Sequence, residues 1–334
     1  MIGSIVTRDT KKEEWGEIRA RIKARILETF GTSPVALAPT KNAFEILERY
    51  MANGLEHLKI RYHVFADEWA YGVMILPEGL AEGKCAPAVL TIHGTNGTTG
   101  KYGVVDPNYK KANRAYALEL AKRGFVTFSP DQYGYGEAME NEEYREGFER
   151  FYERYPEWSL SSRRVLGHIR ALDVLDQMDF VAHTGYGVMG NSLGGQAAFY
   201  LPAFDDRIAS SVISTGISPN VTNVYRDLTR TQHLELGVTN FIKNTGKTPW
   251  ELNEMLALCA PKAVLCLEPF NDPHNPYTSV TVECIESAWE VYRLLDAPER
   301  LSMYIHGDGH DTLPMVRAFA YDWLERFLKK QENS

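Results

Sequence analysis

Residues 186–204 constrain the fold of this chain more than any other stretch. The apolar run Tyr186-Gly187-Val188-Met189 stops at Gly190-Asn191-Ser192-Leu193-Gly194-Gly195, and Gln196-Ala197-Ala198-Phe199 then reads as the start of a helix. A strand that passes into a helix over so few residues must turn sharply. Glycines around the serine let backbone approach where a Cβ would clash. The spacing is that of G-x-S-x-G, in which the turn lifts a serine hydroxyl out of the sheet. The five-residue string is weak alone; the strand before it and the helix after it give it force.

The same alternation runs through the rest of the sequence. Strands are expected at Ala88–Ile92, Phe125–Ser129, Tyr186–Met189, about 208–214, Ala263–Leu267 and Leu301–Ile305, with helices near 108–123, 162–182, 193 onward, 277–295 and 314–329. This rhythm predicts an α/β fold, a mostly parallel central sheet with helices on both faces. Ahead of it, alternating Leu58, Ile60, Tyr62 and Val64, then the run Trp69 to Leu76, read as an antiparallel hairpin. Residues 1–55 read as an N-terminal helical arm. Trp15, Ile18, Ile22, Ile26 and Phe30 recur at helical spacing, and a second short helix over about 41–52 would carry Phe44, Leu47 and Met51 on one face. The arm could pack on the main domain or on a neighbouring copy, making a homo-oligomer. Residues 56–334 form the main domain, with insertions at about 134–160 and 216–260 long enough to wall or cap a pocket.

Composition narrows the partners. The 334 residues carry a net charge of −8 with no long Lys/Arg run, which argues against nucleic acid. No apolar stretch approaches the roughly 20 residues that span a bilayer, and Met1 to Thr10 show no signal-peptide pattern, so a cytoplasmic location is the expectation. Cys85, Cys259, Cys266 and Cys284 fit neither a zinc site nor a disulfide framework. The pair His306 and His310 straddles a Gly-Asp-Gly turn rather than a helix face, and Gly94 to Lys101 fails the phosphate-loop pattern. Neither metal nor cofactor is implied.

A serine hydroxyl is a poor nucleophile until a base takes its proton. In folds that use this elbow the chain order is serine, acid, histidine. His310, in Gly307-Asp308-Gly309-His310 just after the final strand, is placed where a loop could reach over Ser192; His306 closes the strand itself and is the main competitor. His233 and His274 fall outside that loop. The acid is expected in the loop after the preceding strand, Glu268-Pro269-Phe270-Asn271-Asp272-Pro273. Asp272 is the better candidate to hold the histidine Nδ1–H; Glu268 could substitute. Before that strand no carboxylate follows Ser214 until Asp227. The oxyanion hole would use the backbone N–H of Leu193 and of Thr95, the latter in His93-Gly94-Thr95-Asn96-Gly97, where His93 is expected to buttress the loop rather than act on substrate. Tyr133, Tyr135, Phe148, Phe151, Tyr152, Tyr155 and Trp158 could stack on a sugar or simply pack a cap helix.

At these residues the chain resembles the α/β-hydrolase superfamily from about residue 57 onward, and more narrowly its dienelactone-hydrolase-like and acetyl xylan esterase-like branch. The resemblance rests on His93-Gly94-Thr95-Asn96-Gly97, Asp131-Gln132-Tyr133-Gly134-Tyr135-Gly136-Glu137, the elbow at Ser192, Asp206-Arg207-Ile208, Asp272-Pro273 and Gly309-His310. It implies hydrolysis of a carboxylic ester, an acylated carbohydrate or another small ester, through an acyl-enzyme, and it places an oxyanion N–H on Thr95. That branch has Gln after the nucleophile, and glucuronoyl esterases, similar in size, have Arg; this chain has Leu193. The same machinery could cleave a peptide or a carbon–carbon bond, or the fold could serve as a non-catalytic binding protein.

Overall fold

A computed structural model describes residues 2–80, 83–109, 114–139, 144–223 and 236–329. Its strands are β1 (Phe44–Ala52), β2 (Leu55–Phe65), β3 (Glu68–Ile75), β4 (Ala88–Ile92), β5 (Val126–Pro130), β6 (Tyr186–Asn191), β7 (Ile208–Ser214), β8 (Ala263–Pro269) and β9 (Leu301–His306). They form one sheet in the order β1-β2-β3-β5-β4-β6-β7-β8-β9. The first three pair antiparallel, as does β3 with β5, whereas β5 through β9 run parallel. This is the α/β-hydrolase fold. The chain winds from β4 to β5 in one direction and from β6 to β9 in the other, so the loops after β4 and β6 meet at a topological switch point. In open α/β sheets ligands bind there, beyond the carboxyl ends of the strands.

Helices cover both faces because strands β4 to β8 are apolar on both. One core joins the helices Trp15–Phe30, Leu160–Leu175, Leu193–Phe204, Leu252–Cys259 and Thr278–Leu294 to the sheet. On the other face pack the helices Tyr116–Lys122 and Pro314–Leu328. The first of these is what remains, among the described residues, of the helix expected over 108–123.

The segment 41–52 corrects an expectation: it is not a helix but ends in strand β1. The reason is the turn that follows it. Asn53 and Gly54 both adopt positive φ, 52° and 83°, and reverse the chain so that Ala52 pairs with Leu55 and Tyr50 with His57. A two-residue Asn-Gly loop of this kind matches the strand twist and fixes a hairpin. The proposed apolar helix face had no core to meet; Leu47 and Met51 are exposed. The helical arm is therefore Trp15–Phe30. Its face of Trp15, Ile22, Ile26 and Phe30 is buried in its own chain, where Trp250 Nε1 donates to Thr29 Oγ1 at 2.9 Å and Arg25 pairs with Glu254. That face is thus not available to a neighbouring copy.

In the first insertion Tyr135, Phe148, Phe151 and Trp158 are each almost completely buried, with Phe151 and Trp158 rings 5.7 Å apart. These rings pack the helix Tyr144–Arg154 onto the domain. Asp227 and His233 lie outside the described residues. Among the described residues no helix is long and apolar enough to cross a membrane, and no group of three or more ligating side chains could hold a metal ion.

Candidate active site

Strand β6 ends at Asn191, and Ser192 follows with φ 58° and ψ −121°, directly ahead of the helix Leu193–Phe204. A serine rarely holds this left-handed backbone, and such strain persists only where surroundings over-determine it. Two glycines show how tightly it is held. A Cβ on Gly190 would lie 2.1 Å from the carbonyl oxygen of Gly194, and one on Gly194 would lie 2.0 Å from that of Ile92. Ser192 N–H donates to the Ser214 carbonyl at 2.9 Å, tying the elbow to β7. The nucleophile elbow expected from the sequence is therefore formed.

The loop after β4 passes beside it. A Cβ on Gly94 would stand 3.4 Å from Ser192 Cβ. His93 supports this loop from below. It is fully buried, its Nδ1 meets the Gly94 carbonyl at 2.7 Å, and its Nε2 accepts the Gln132 N–H at 3.1 Å. Those partners require the Nδ1–H tautomer. Burial pushes its pKa down to about 4, so the ring is neutral and committed to structure. Further along, Lys101 is fully buried, and its ammonium donates to Asp131 at 2.7 Å and Glu137 at 2.6 Å. Asp131 also accepts the backbone N–H of Lys101 and of Glu137. The segment that resembled a phosphate loop is in fact sewn to the loop after β5 by a satisfied buried ion cluster.

The loops after β8 and β9 bring the other candidates together. His310 Nδ1 lies 2.7 Å from Asp272 Oδ2, while Asp272 Oδ1 accepts the His274 N–H at 2.7 Å. Burial would raise the Asp272 carboxyl, but the His310 hydrogen bond and the His274 amide outweigh it and hold the pKa below its ordinary value. Asn271 stitches the two loops: its Nδ2 donates to the Gly307 carbonyl at 2.8 Å, and its Oδ1 accepts the Gly309 N–H at 3.0 Å. Glu268 is also buried, with only the backbone N–H groups of Gly216 and Ile217 near its carboxyl and no cationic or side-chain partner among the described residues. Burial first, then the nearby Asp272 charge, push its pKa well above the carboxylate range. His306 sits lower, buried, with Nδ1 accepting the Asp308 N–H and Nε2 unpartnered. Of the two acids and two histidines weighed, the pair in contact is Asp272 and His310.

Several contributors escaped sequence reasoning. Arg114 joins three parts of the site, donating to Asn191 Oδ1, to Asp311 Oδ1 at 3.0 Å and to the His310 carbonyl at 2.9 Å. Asn191, the variable position of the serine motif, donates through Nδ2 to Thr215 Oγ1 at 2.8 Å and Thr312 Oγ1 at 3.1 Å. The loop that carries His310 is thereby fixed to the residue before the nucleophile. His274, set aside for lying outside the last loop, places its ring edge-on to His310 with centroids 4.6 Å apart. No spacing rule would have found Arg114. Among the described residues no hydrogen bond joins Ser192 Oγ to the imidazole; such bonds often tighten only when substrate is bound.

The family described as "Glucuronyl esterase, fungi" matches residues 81–296, well over half of the chain. A curated relative, "Putative hydrolase YtaP" of Bacillus subtilis (strain 168), is 25% identical over 256 residues, covering 74% of this chain and 80% of its own. Among solved structures, a glucuronoyl esterase from Solibacter usitatus superposes with a TM-score of 0.73 at 16% identity, covering 97% of both chains. A promiscuous CE15 esterase from a marine bacterial metagenome superposes at 0.69, with 16% identity over 98% of this chain and 97% of its own. The chain belongs to the glucuronyl esterase family, whose members are serine carboxylic-ester hydrolases of the α/β-hydrolase fold.

Proposed function

We propose that Ser192, His310 and Asp272 are the catalytic triad, and that the substrate is an ester whose acyl half is a uronic acid. The 2.7 Å contact between His310 Nδ1 and Asp272 Oδ2, on loops fixed to the elbow through Asn191 and Arg114, is the observation that carries this reading. Asp272, ionised and buried, would keep the imidazole in the Nδ1–H tautomer, leaving the Nε2 lone pair for the serine proton. Ser192 Oγ then attacks the ester carbonyl as His310 Nε2 takes its proton. The tetrahedral oxyanion is held by the backbone N–H groups of Leu193 and Thr95. On collapse His310 returns the proton to the leaving alcohol, and the acyl group stays on Ser192. Water, deprotonated by the same imidazole, attacks the acyl-enzyme and releases the free acid.

Leu193 follows the serine, so no guanidinium from that position assists the oxyanion, and the charge falls to the amides. The uronic acid assignment rests on family membership. It is tested with benzyl glucuronate, acetylated xylan and p-nitrophenyl acetate offered side by side. The reading expects the highest kcat/KM on the glucuronate ester. Equal or higher kcat/KM on acetylated xylan would move the sugar from the acyl to the alcohol half. Hydrolysis of a peptide bond in preference to all three would discard the ester assignment.

A further inference from the structure

One hollow of the molecule lies outside the proposed catalytic machinery. Beside the β1–β2 hairpin lies a hollow of about 370 Å³, lined by Glu48, Tyr50 and His57 of the hairpin and by Tyr102, Asp106 and Tyr109 of the segment after β4. It stands apart from the triad. His57 pairs with Ile75, which in turn pairs with Thr127 near the start of β5, away from the strand ends that carry Ser192. Its size suits a small molecule.

The chemistry of its lining is one-sided. Two carboxyls face it, and no Lys or Arg lines it. Asp106 accepts hydrogen bonds from Asn108, a neutral residue, and no ion pair engages Glu48 or Asp106 among the described residues. His57 is almost completely buried, its Nδ1 meets the Leu55 carbonyl at 3.1 Å, and its Nε2 has no partner. Burial lowers its pKa, so the ring is neutral and Nε2 is left as an acceptor. Around these acceptors stand aromatic faces. Tyr102 and Tyr109 stack at 5.4 Å, and Tyr50 stacks on His57 at 5.1 Å. The ammonium of Lys101 lies 4.8 Å from the centre of the Tyr102 ring and is neutralised by Asp131 and Glu137.

Carboxylates without counter-ions, tyrosine faces and a neutral acceptor together favour a positively charged, partly apolar guest. Among the described residues no group of three or more His, Cys, Asp or Glu is placed to hold a metal ion, the hollow's Glu48, His57 and Asp106 included. We propose that this hollow is a second binding site, for a small organic ammonium ion. Ring quadrupoles would attract its alkylated cationic end, and Glu48 and Asp106 would neutralise the charge.

The test is calorimetric or ligand-observed NMR titration of the intact protein with choline, with its uncharged isostere 3,3-dimethylbutan-1-ol, and with xylobiose. Choline is expected to bind saturably and about threefold to tenfold more tightly than the isostere. Glu48→Gln and Tyr50→Ala, both on the hairpin edge, are each expected to weaken choline by about threefold or more while ester hydrolysis is unchanged. Equal affinity for choline and the isostere would show an apolar pocket and overturn the proposal. So would saturable binding of xylobiose without choline, or no saturable binding of choline at all. Because binding is read directly, failure here says nothing against the esterase reading, and loss of esterase activity would leave this site standing.

Discussion

The loops after β4 and β9 each carry a histidine near Ser192, and the contrast between them shows how the fold assigns roles. His93 has no exposed surface, and both ring nitrogens are engaged. His310 keeps about 21% of its side chain exposed, with Nδ1 on a carboxylate and no partner for Nε2 among the described residues. The same imidazole is thus a fixed prop in one loop and, in the proposed reaction, a proton carrier in the other. Chain position near the serine does not make the difference; what the second nitrogen can still do does. A parallel contrast separates Glu268 from Asp272. The first is buried with no histidine or cation against it among the described residues and is held neutral by that burial, while the second is held ionised by the groups that contact it.

The most severe way to break this contrast is Asp272→Asn. It preserves the shape and removes the charge that fixes the His310 tautomer, so kcat is expected to fall by about three to four orders of magnitude. Loss of less than about tenfold would mean that another acid serves. Arg114→Gln comes next. It releases the His310 carbonyl and Asp311 from Asn191 without touching the reacting atoms, and a loop displaced by about 1 Å costs on the order of a hundredfold in rate. The loss is expected in kcat with KM nearly unchanged, and Arg114→Lys should recover part of it. A change confined to KM would place Arg114 in substrate binding instead.

The prop is tested through stability. A ring with pKa about 4 in the fold and 6.5 when unfolded takes up its proton first in the unfolded chain. Its contribution is therefore complete above about pH 6.5 and is lost as pH falls toward about 4. Between about pH 7 and about pH 5 the native protein should lose on the order of 2 kcal/mol more stability than His93→Gln, measured by denaturant unfolding. Identical losses would show that His93 titrates normally. Asp272 has the opposite ionisation but the same sense: its depressed pKa gives stability that is full above the ordinary carboxylate value and is lost only in stronger acid. The smallest effect is expected from Glu268→Gln, a neutral side chain replacing a neutral acid, with kcat changed by less than about threefold. If it instead matched Asp272→Asn, the assignment of the two acids would be reversed.

Much of this was legible in the sequence because the informative signals were local. The elbow is a continuous string set between a strand and a helix, and Asp272 and His310 each follow a strand whose apolar run is plain. What stayed hidden depended on contacts between distant segments. Arg114 belongs to no motif in the sequence, yet it reaches Asn191, some 77 residues away in the chain. Strand β1 was misread for another reason. Phe44, Leu47 and Met51 satisfy helical spacing, but Asn53-Gly54 carries the stronger local signal and the hairpin prevails. A core cannot be counted on to claim every apolar residue, and on this edge strand most side chains face solvent.

The central claim is that Ser192 is the group acylated, with its reactivity set by His310 and Asp272. Peptide mass spectrometry of the protein treated with a fluorophosphonate tests it most directly. The account predicts one adduct, on the peptide bearing Ser192, absent in Ser192→Ala and formed far more slowly in Asp272→Asn. An adduct on any other residue, or equal labelling of Ser192→Ala, would contradict it.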